Sequence, residues 1–171
     1  FMGQLRESKG IFDLVPIWKE VVKKNPEATL GIIGKDINDN SEKIKQQINK
    51  ESLHKNIKVL GYLEEDVARS LIKSSKVFIL PSYEEGFGIV LLESMALGTQ
   101  PIAYELPVYE VNFPSCIMTA PLGDYHAMAD LIVRQINSNK ISTFQSTIAR
   151  YNLSELIKKE YQAIVKLYNH K

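Results

Sequence analysis

Two glutamates, Glu85 and Glu93, stand with seven residues between them in the stretch ILPSYEEGFGIVLLESMALG, residues 79 to 98. An apolar run enters a polar, glycine-bearing turn there, and a helical pattern leaves it. Carboxylates accept hydrogen bonds, so a pair at this spacing can hold a ligand rich in hydroxyls. Gly86 and Gly88 remove Cβ atoms where the chain enters the helix, which lets backbone N–H groups approach a phosphate or an electron-rich oxygen. The helix start adds partial positive charge and free donors. The plainer reading is a tight strand-to-helix turn in which Glu84 and Glu85 complement the helix dipole, and the glycine pair alone does not decide between the two. Glu93 sits among Leu91, Leu92, Met95, Ala96 and Leu97, with Ile89 and Ala96 as its i−4 and i+3 neighbours. A carboxylate buried there needs donors, which sugar or ribose hydroxyls would supply. An exposed helix edge or a lysine partner would satisfy it equally.

A second stretch, GQLRESKG, carries cations. Gly3 ends an apolar run, and Lys9-Gly10 open the helical pattern that follows. A lysine at that position is a counter-charge for a diphosphate, or simply a solvated first-turn lysine. Arg6 offers another cation three residues earlier, and Gly34 in GIIGKD ends the next apolar run. His54, His126 and His170 are scattered without metal-ligand spacing, and Asp36 and Asp39 in DINDN read as a turn. No Ser/His/Asp or Cys/His arrangement stands out, and no metal is expected.

These loops need a frame. Short β-rich runs cover 1–5, 28–34, 56–63, 76–82, 100–105 and 116–121, and helical patterns cover 8–26, 40–52, 64–75, 86–98, 124–138 and 154–170. Pro16 falls early in the first helix, Ser41 is the expected N-cap of the second, and Gly98 closes the fourth. Strands that alternate with helices and are nearly continuously apolar predict an α/β fold. The expected form is a doubly wound, mostly parallel six-stranded sheet with helices on both faces, in strand order 3-2-1-4-5-6. The switch point then lies between strands 1 and 4, and the ligand crevice at their carboxyl ends. GQLRESKG and SYEEGFG would face each other across it.

Composition narrows the function classes. The chain has 171 residues, 24% of them charged, with a net charge of +1. That length suits one domain, and the balance calls for neither nucleic acid nor an anionic surface. A single cysteine, Cys116, excludes an internal disulfide framework and favours a reducing, cytoplasmic compartment. No apolar run is long enough to cross a bilayer, and the first residues lack the charged-then-apolar pattern of a secretory leader. The opening FMGQL reads as the end of a strand, so the expectation is one domain, 1–171, cut from a longer polypeptide.

SYEEGFGIVLLESMALGTQPIA closely resembles the E-x7-E signature of retaining glycosyltransferases of the group 1, or family 4, type, matching it at Pro81, Ser82, Glu85, Gly86, Phe87, Gly88, Glu93, Met95, Ala96, Gly98, Pro101, Ile102 and Ala103. FMGQLRESKGIFDLV resembles the family's G-R-L-x-x-x-K-G opening, and the resemblance runs from about residue 1 to about residue 137. It implies the C-terminal, Rossmann-like half of a two-domain GT-B enzyme, with an N-terminal acceptor-binding domain as its partner. It implies a catalytic pair, Lys9 at the diphosphate and Glu85 at the donor sugar. It implies Glu93 at the ribose and the amides of Gly86, Phe87 and Gly88 near the sugar and phosphate; together with Ile89, Arg6 and Gly34 these make up the expected donor-binding set. No cofactor is implied beyond a nucleoside-diphosphate sugar as substrate. Acceptors in the family include lipid-linked and polysaccharide chains, which brings in peripheral association of the intact enzyme with the cytoplasmic membrane face. Two positions depart from the pattern: Gln4 replaces the arginine after the first glycine, and YELPVYEVNFPSC, residues 104–116, replaces a short glycine-rich turn. A non-catalytic nucleotide-sugar-binding subunit is the rival reading. A third is a Rossmann-like binder of another nucleotide, such as an epimerase. It would favour a G-x-G-x-x-G after the first strand, which is absent.

Overall fold

The computed structural model describes residues 1–138, 143–152 and 161. Five strands alternate with helices in the order α1 (Leu14–Lys24), β1 (Leu30–Ile33), α2 (Asn40–Lys50), β2 (Ile57–Gly61), α3 (Glu65–Ser74), β3 (Val77–Leu80), α4 (Ile89–Ala96), β4 (Gln100–Tyr104), α5 (Pro107–Asn112), β5 (Met118–Ala120), α6 (Tyr125–Ile136) and α7 (Gln145–Arg150). Every strand pairing is parallel. All five residues of β4 are buried, because α4 and α6 both pack on that strand. After Gln100 its side chains therefore read as a continuous apolar run, without the alternation of a half-exposed strand. In α1, Leu14, Val15, Ile17, Trp18 and Val21 form the buried face, which lies against α6 and α2. Trp18 donates its indole N–H to the Ala28 carbonyl at 3.3 Å, so the polar atom of this large buried ring is satisfied.

The expected strand order is present in two halves. Residues 1–5 run parallel to β1, which pairs with β2, and β3, β4 and β5 follow one another. The continuous six-stranded sheet is not observed. Residues 1–5 make only isolated bridges, Met2 to Ile33 at the end of β1 and Leu5 to Asp36 beyond it, and form no ladder with β3 among the described residues. A cavity of about 420 Å³, lined by residues of both halves including Phe1, Leu30, Val77 and Phe78, opens where that seam would close.

Local differences have local causes. The first helix begins at Leu14, because Glu7–Lys9 forms a separate 3-10 turn closed by Gly10 at φ 64°. Lys9 therefore ends a turn and does not open a helix. Pro16 keeps its place in the first turn of α1. Ser41 is not the N-cap of α2. Asp39 occupies that position, and the Asp36 carboxylate accepts from both the Ser41 amide, at 3.1 Å, and the Ser41 hydroxyl. Gly98 follows α4 in the left-handed region, as expected of a C-terminal cap. The stretch 104–116, read as a loop, holds α5, with Pro107 at its start supplying the preset φ that helix initiation favours. The helix expected over 154–170 lies, Tyr161 apart, outside the described residues.

Gly34 positions the mouth of the fold. A Cβ there would lie 1.7 Å from the Gly3 carbonyl oxygen, so the two backbones meet with no room for a side chain. We expect Gly34→Ala to push residues 1–5 off β1 and to cost about 1–3 kcal/mol, as overpacking does. Urea unfolding would register this as a lower midpoint with an unchanged slope.

Candidate functional site

β3 ends in the buried residues Phe78, Ile79 and Leu80, and the chain then turns through residues 81–88 into α4. Ser82, itself buried, donates its hydroxyl to Glu85 Oε1 at 2.9 Å. Lys9 Nζ donates to the same oxygen at 2.6 Å, with the two side chains 17% and 10% exposed. An ion pair this sheltered is screened less than a surface pair. The two loops singled out from the sequence therefore meet, and their opposite charges meet at one atom.

Behind that pair lies a cavity of about 360 Å³ lined by Met2, Gly3, Lys9, Leu80, Glu85, Phe87, Gly88, Ile89, Val90 and Glu93. Gly88 is the left-handed N-cap residue of α4, and no backbone acceptor is recorded for the amides of residues 86–90 among the described residues. Those N–H groups sit at the positive end of the helix, where an anion is favoured. A second cavity, of about 350 Å³, is lined by Gln4, Gly34, Lys35, Tyr62, Leu63, Glu65, Arg69 and others. The two share Met2, Gly3 and Glu93. Glu93 thus lines both, half-buried, and its carboxylate has no hydrogen-bond or ion-pair partner among the described residues.

Of the residues chosen from the sequence, Lys9, Glu85, Phe87, Gly88, Ile89 and Glu93 line the first cavity, and Gly34 and Glu93 line the second. Gly86 is exposed, with open space where its Cβ would be. Arg6 is exposed and lines neither cavity, whereas Gln4 lines the second. Sequence reasoning passed over Lys35, which directly follows Gly34, and the Glu65–Arg69 ion pair on α3. Their i,i+4 spacing was visible, but a pair at that spacing is ordinary on any exposed helix.

It also missed a buried carboxylate. Asp13, 7% exposed, accepts from three phenolic hydroxyls: Tyr83 at 2.5 Å, Tyr104 at 2.8 Å and Tyr125 at 3.2 Å. The tyrosines come from the 81–88 loop, the end of β4 and the start of α6. All three hydroxyls are harder to ionise than usual. For Tyr83 the main cause is its bond to Asp13, and for Tyr104 and Tyr125 it is burial, reinforced by the Asp13 charge. Tyr109 on α5 is 2% exposed, and its hydroxyl has no partner among the described residues. Burial, and then the Glu85 charge, raise its pKa. Its ring lies 3.2 Å from where a Cβ on Gly88 would sit, so α5 forms the floor under the helix start.

Known proteins resemble this chain in sequence and in fold. The family model for glycosyl transferases group 1 matches residues 1–113. The GDP-mannose:cellobiosyl-diphosphopolyprenol alpha-mannosyltransferase of Xanthomonas oryzae pv. oryzae is 24% identical over 109 residues, covering 64% of this chain and 29% of its own. The capsular polysaccharide biosynthesis glycosyltransferase CapM of Staphylococcus aureus is 26% identical over 150 residues, 82% of this chain and 37% of its own. The chain thus spans about a third of the length of these relatives. The crystal structure of Anabaena HepE in complex with UDP and glucose superposes with a TM-score of 0.82 at 20% identity, over 96% of this chain and 47% of that one, which shows a shared fold.

The tyrosine cluster gives the fold an alkaline limit. Folded hydroxyls keep their protons above the ordinary value of 10.0, at which the unfolded chain releases them. Above that pH the unfolded state binds fewer protons, so the stabilisation, complete below it, is lost as pH rises. The urea midpoint is expected to fall progressively as pH rises above about 10. Tyr104→Phe, with a lower midpoint at neutral pH, should show a shallower decline over the same range.

Proposed function

The chain belongs to the group 1 glycosyl transferases, and from that premise we propose that it binds a nucleoside-diphosphate sugar and serves transfer of the sugar to a hydroxyl acceptor with retention at the anomeric carbon. The observation that carries this reading is the pair of neighbouring cavities that share Met2, Gly3 and Glu93 in their walls, with Lys9 and Glu85 paired at one and Glu93 lining both. A nucleotide sugar has the matching order of groups: a hydroxylated ring, a diphosphate and a ribose with its base. In this arrangement the diphosphate lies on Lys9 and the amides at the start of α4, the sugar hydroxyls donate to Glu85, and the ribose hydroxyls donate to Glu93. The base occupies the second cavity near Tyr62 and Leu63.

During transfer the bond from the anomeric carbon to the diphosphate oxygen breaks, its electron pair stays with the diphosphate, and the acceptor oxygen bonds to the same face of the carbon. The acceptor proton leaves with the diphosphate. Lys9 and the helix amides stabilise the charge that grows on the leaving group, a task that fixed donors perform well in a site shielded from water. They supply this positive charge without a metal. With Gln4 in place of an arginine, Lys9 carries more of the burden. The acceptor binds to an N-terminal domain preceding this one, so this domain alone is inactive. The intact enzyme works in the cytoplasm, and the diphosphopolyprenol acceptor named for the Xanthomonas relative supports a position at the membrane face. Among the described residues no helix is long and apolar enough to cross a membrane.

Calorimetric titration with UDP-glucose, GDP-mannose and ADP-glucose tests the reading: one of them should bind, and heat from none would overturn it. In the intact protein, Lys9→Ala should lower kcat about 100-fold or more, as loss of a charge-stabilising donor does. Glu93→Ala should act mainly by raising the donor KM. Near-normal turnover in Lys9→Ala, or an unchanged KM in Glu93→Ala, would remove that residue from its role.

A further inference from the structure

We infer that Asp13 and Tyr83 are positioning residues, fixing the separation between Lys9 and Glu85 while the donor is bound; this inference rests on the transferase reading above. The Lys9 turn and the 81–88 loop are tied at several points. The Tyr83 amide donates to the Ser8 carbonyl at 2.9 Å, and the Tyr83 hydroxyl donates to Asp13 at 2.5 Å. Gly10, in the left-handed region, lies so close to Pro81 that a Cβ would be 1.8 Å from the Pro81 carbonyl oxygen. The remaining tie is the Lys9–Glu85 pair itself. A donor that puts its diphosphate on Lys9 and its hydroxyls on Glu85 replaces that pair. The loops must then be held by the ties that involve neither functional group.

Tyr83 is suited to this. It stands one residue from Ser82 and two from Glu85, both of which take part in the Glu85 hydrogen bonds. Asp13 stands four residues after Lys9, fixed by its amide bond to the Gly10 carbonyl and by its own carbonyl accepting from Ile17 in α1. Tyr104 and Tyr125 also donate to this carboxylate, so loss of the Tyr83 hydroxyl still leaves it two donors. Those two tyrosines are anchored in β4 and α6, so Asp13 transmits the position of the core to the loop. Reacting groups held about 1 Å out of place can lose about 100-fold in rate.

The test compares Tyr83→Phe with Tyr104→Phe in the full-length protein. Both lose one hydroxyl from the same carboxylate, but only the first loosens the site loop. With UDP-glucose, GDP-mannose and ADP-glucose as donors, Tyr83→Phe should lower kcat about tenfold while the donor Kd stays within about threefold. Tyr104→Phe should lower the melting temperature at least as far and keep kcat within about twofold of the parent. Turnover that falls in proportion to melting temperature in both variants, or is unchanged in Tyr83→Phe, overturns the inference. Crystal structures of the two variants give a reading independent of activity. With the Lys9–Glu85 pair removed by Lys9→Ala, as the donor removes it, the 81–88 loop should shift relative to residues 7–9 when Tyr83→Phe is added and stay in place when Tyr104→Phe is added, and an unmoved loop with Tyr83→Phe overturns it. A parent protein that turns over none of the three nucleotides counts against the transferase reading, and the two structures still decide the positioning.

Discussion

A carboxylate enclosed by protein has to be given donors, because an unsatisfied buried charge costs several kcal/mol or more. Asp13 receives three, one from each of three separate parts of the chain. That requirement draws the end of β4, the start of α6 and the loop after β3 to the beginning of α1. The two halves of the sheet do not pair across their seam, so this polar junction and the close approach of Gly10 to Pro81 connect them at the carboxyl ends of the strands. Apolar packing of α1 on α6 does the same work deeper in the molecule. The site sits directly above the junction.

The electrostatics of the site follow from that placement. Lys9 and Glu85 are brought within hydrogen-bond reach in a sheltered position, where each neutralises the other until a ligand takes both. The start of α4 adds amides that have no backbone acceptor among the described residues. An anion alone would satisfy Lys9 and the amides but strand Glu85, and a neutral sugar would do the reverse. A molecule carrying a diphosphate next to hydroxyls satisfies all of them together, which is a physical source of selectivity for the whole donor over its parts. Glu93 extends the same logic to the second cavity, since it lines both and its carboxylate has no hydrogen-bond or ion-pair partner among the described residues.

Much of this was legible beforehand because it is written in short-range patterns. Alternating runs located every observed strand, the glycines and carboxylates of SYEEGFG marked the helix start, and the spacing of Glu85 and Glu93 singled them out. The misses have a common physical origin. The helix start at Leu14 depends on a 3-10 turn that ends at Gly10, and the cap of α2 depends on Asp36 reaching forward to Ser41. Both choices are made by local hydrogen bonds that compete closely in energy. α5 was hidden because a six-residue helix is too short to show a period, although Pro107 at its start was a usable sign.

The sequence by itself determined the α/β class and the family, and it singled out the two loops that meet at the candidate site and Lys9, Glu85 and Glu93 within it, because strand and helix periodicity and a dense motif are properties of neighbouring residues. Tertiary structure alone decided that Lys9 and Glu85 share one oxygen, that Glu93 lines two cavities, and that Arg6 lines neither. It alone made Asp13 a buried hub, since its three partners lie 70, 91 and 112 residues away along the chain. A side chain's partners across such distances are fixed by how the sheet and helices pack, and no local pattern encodes them.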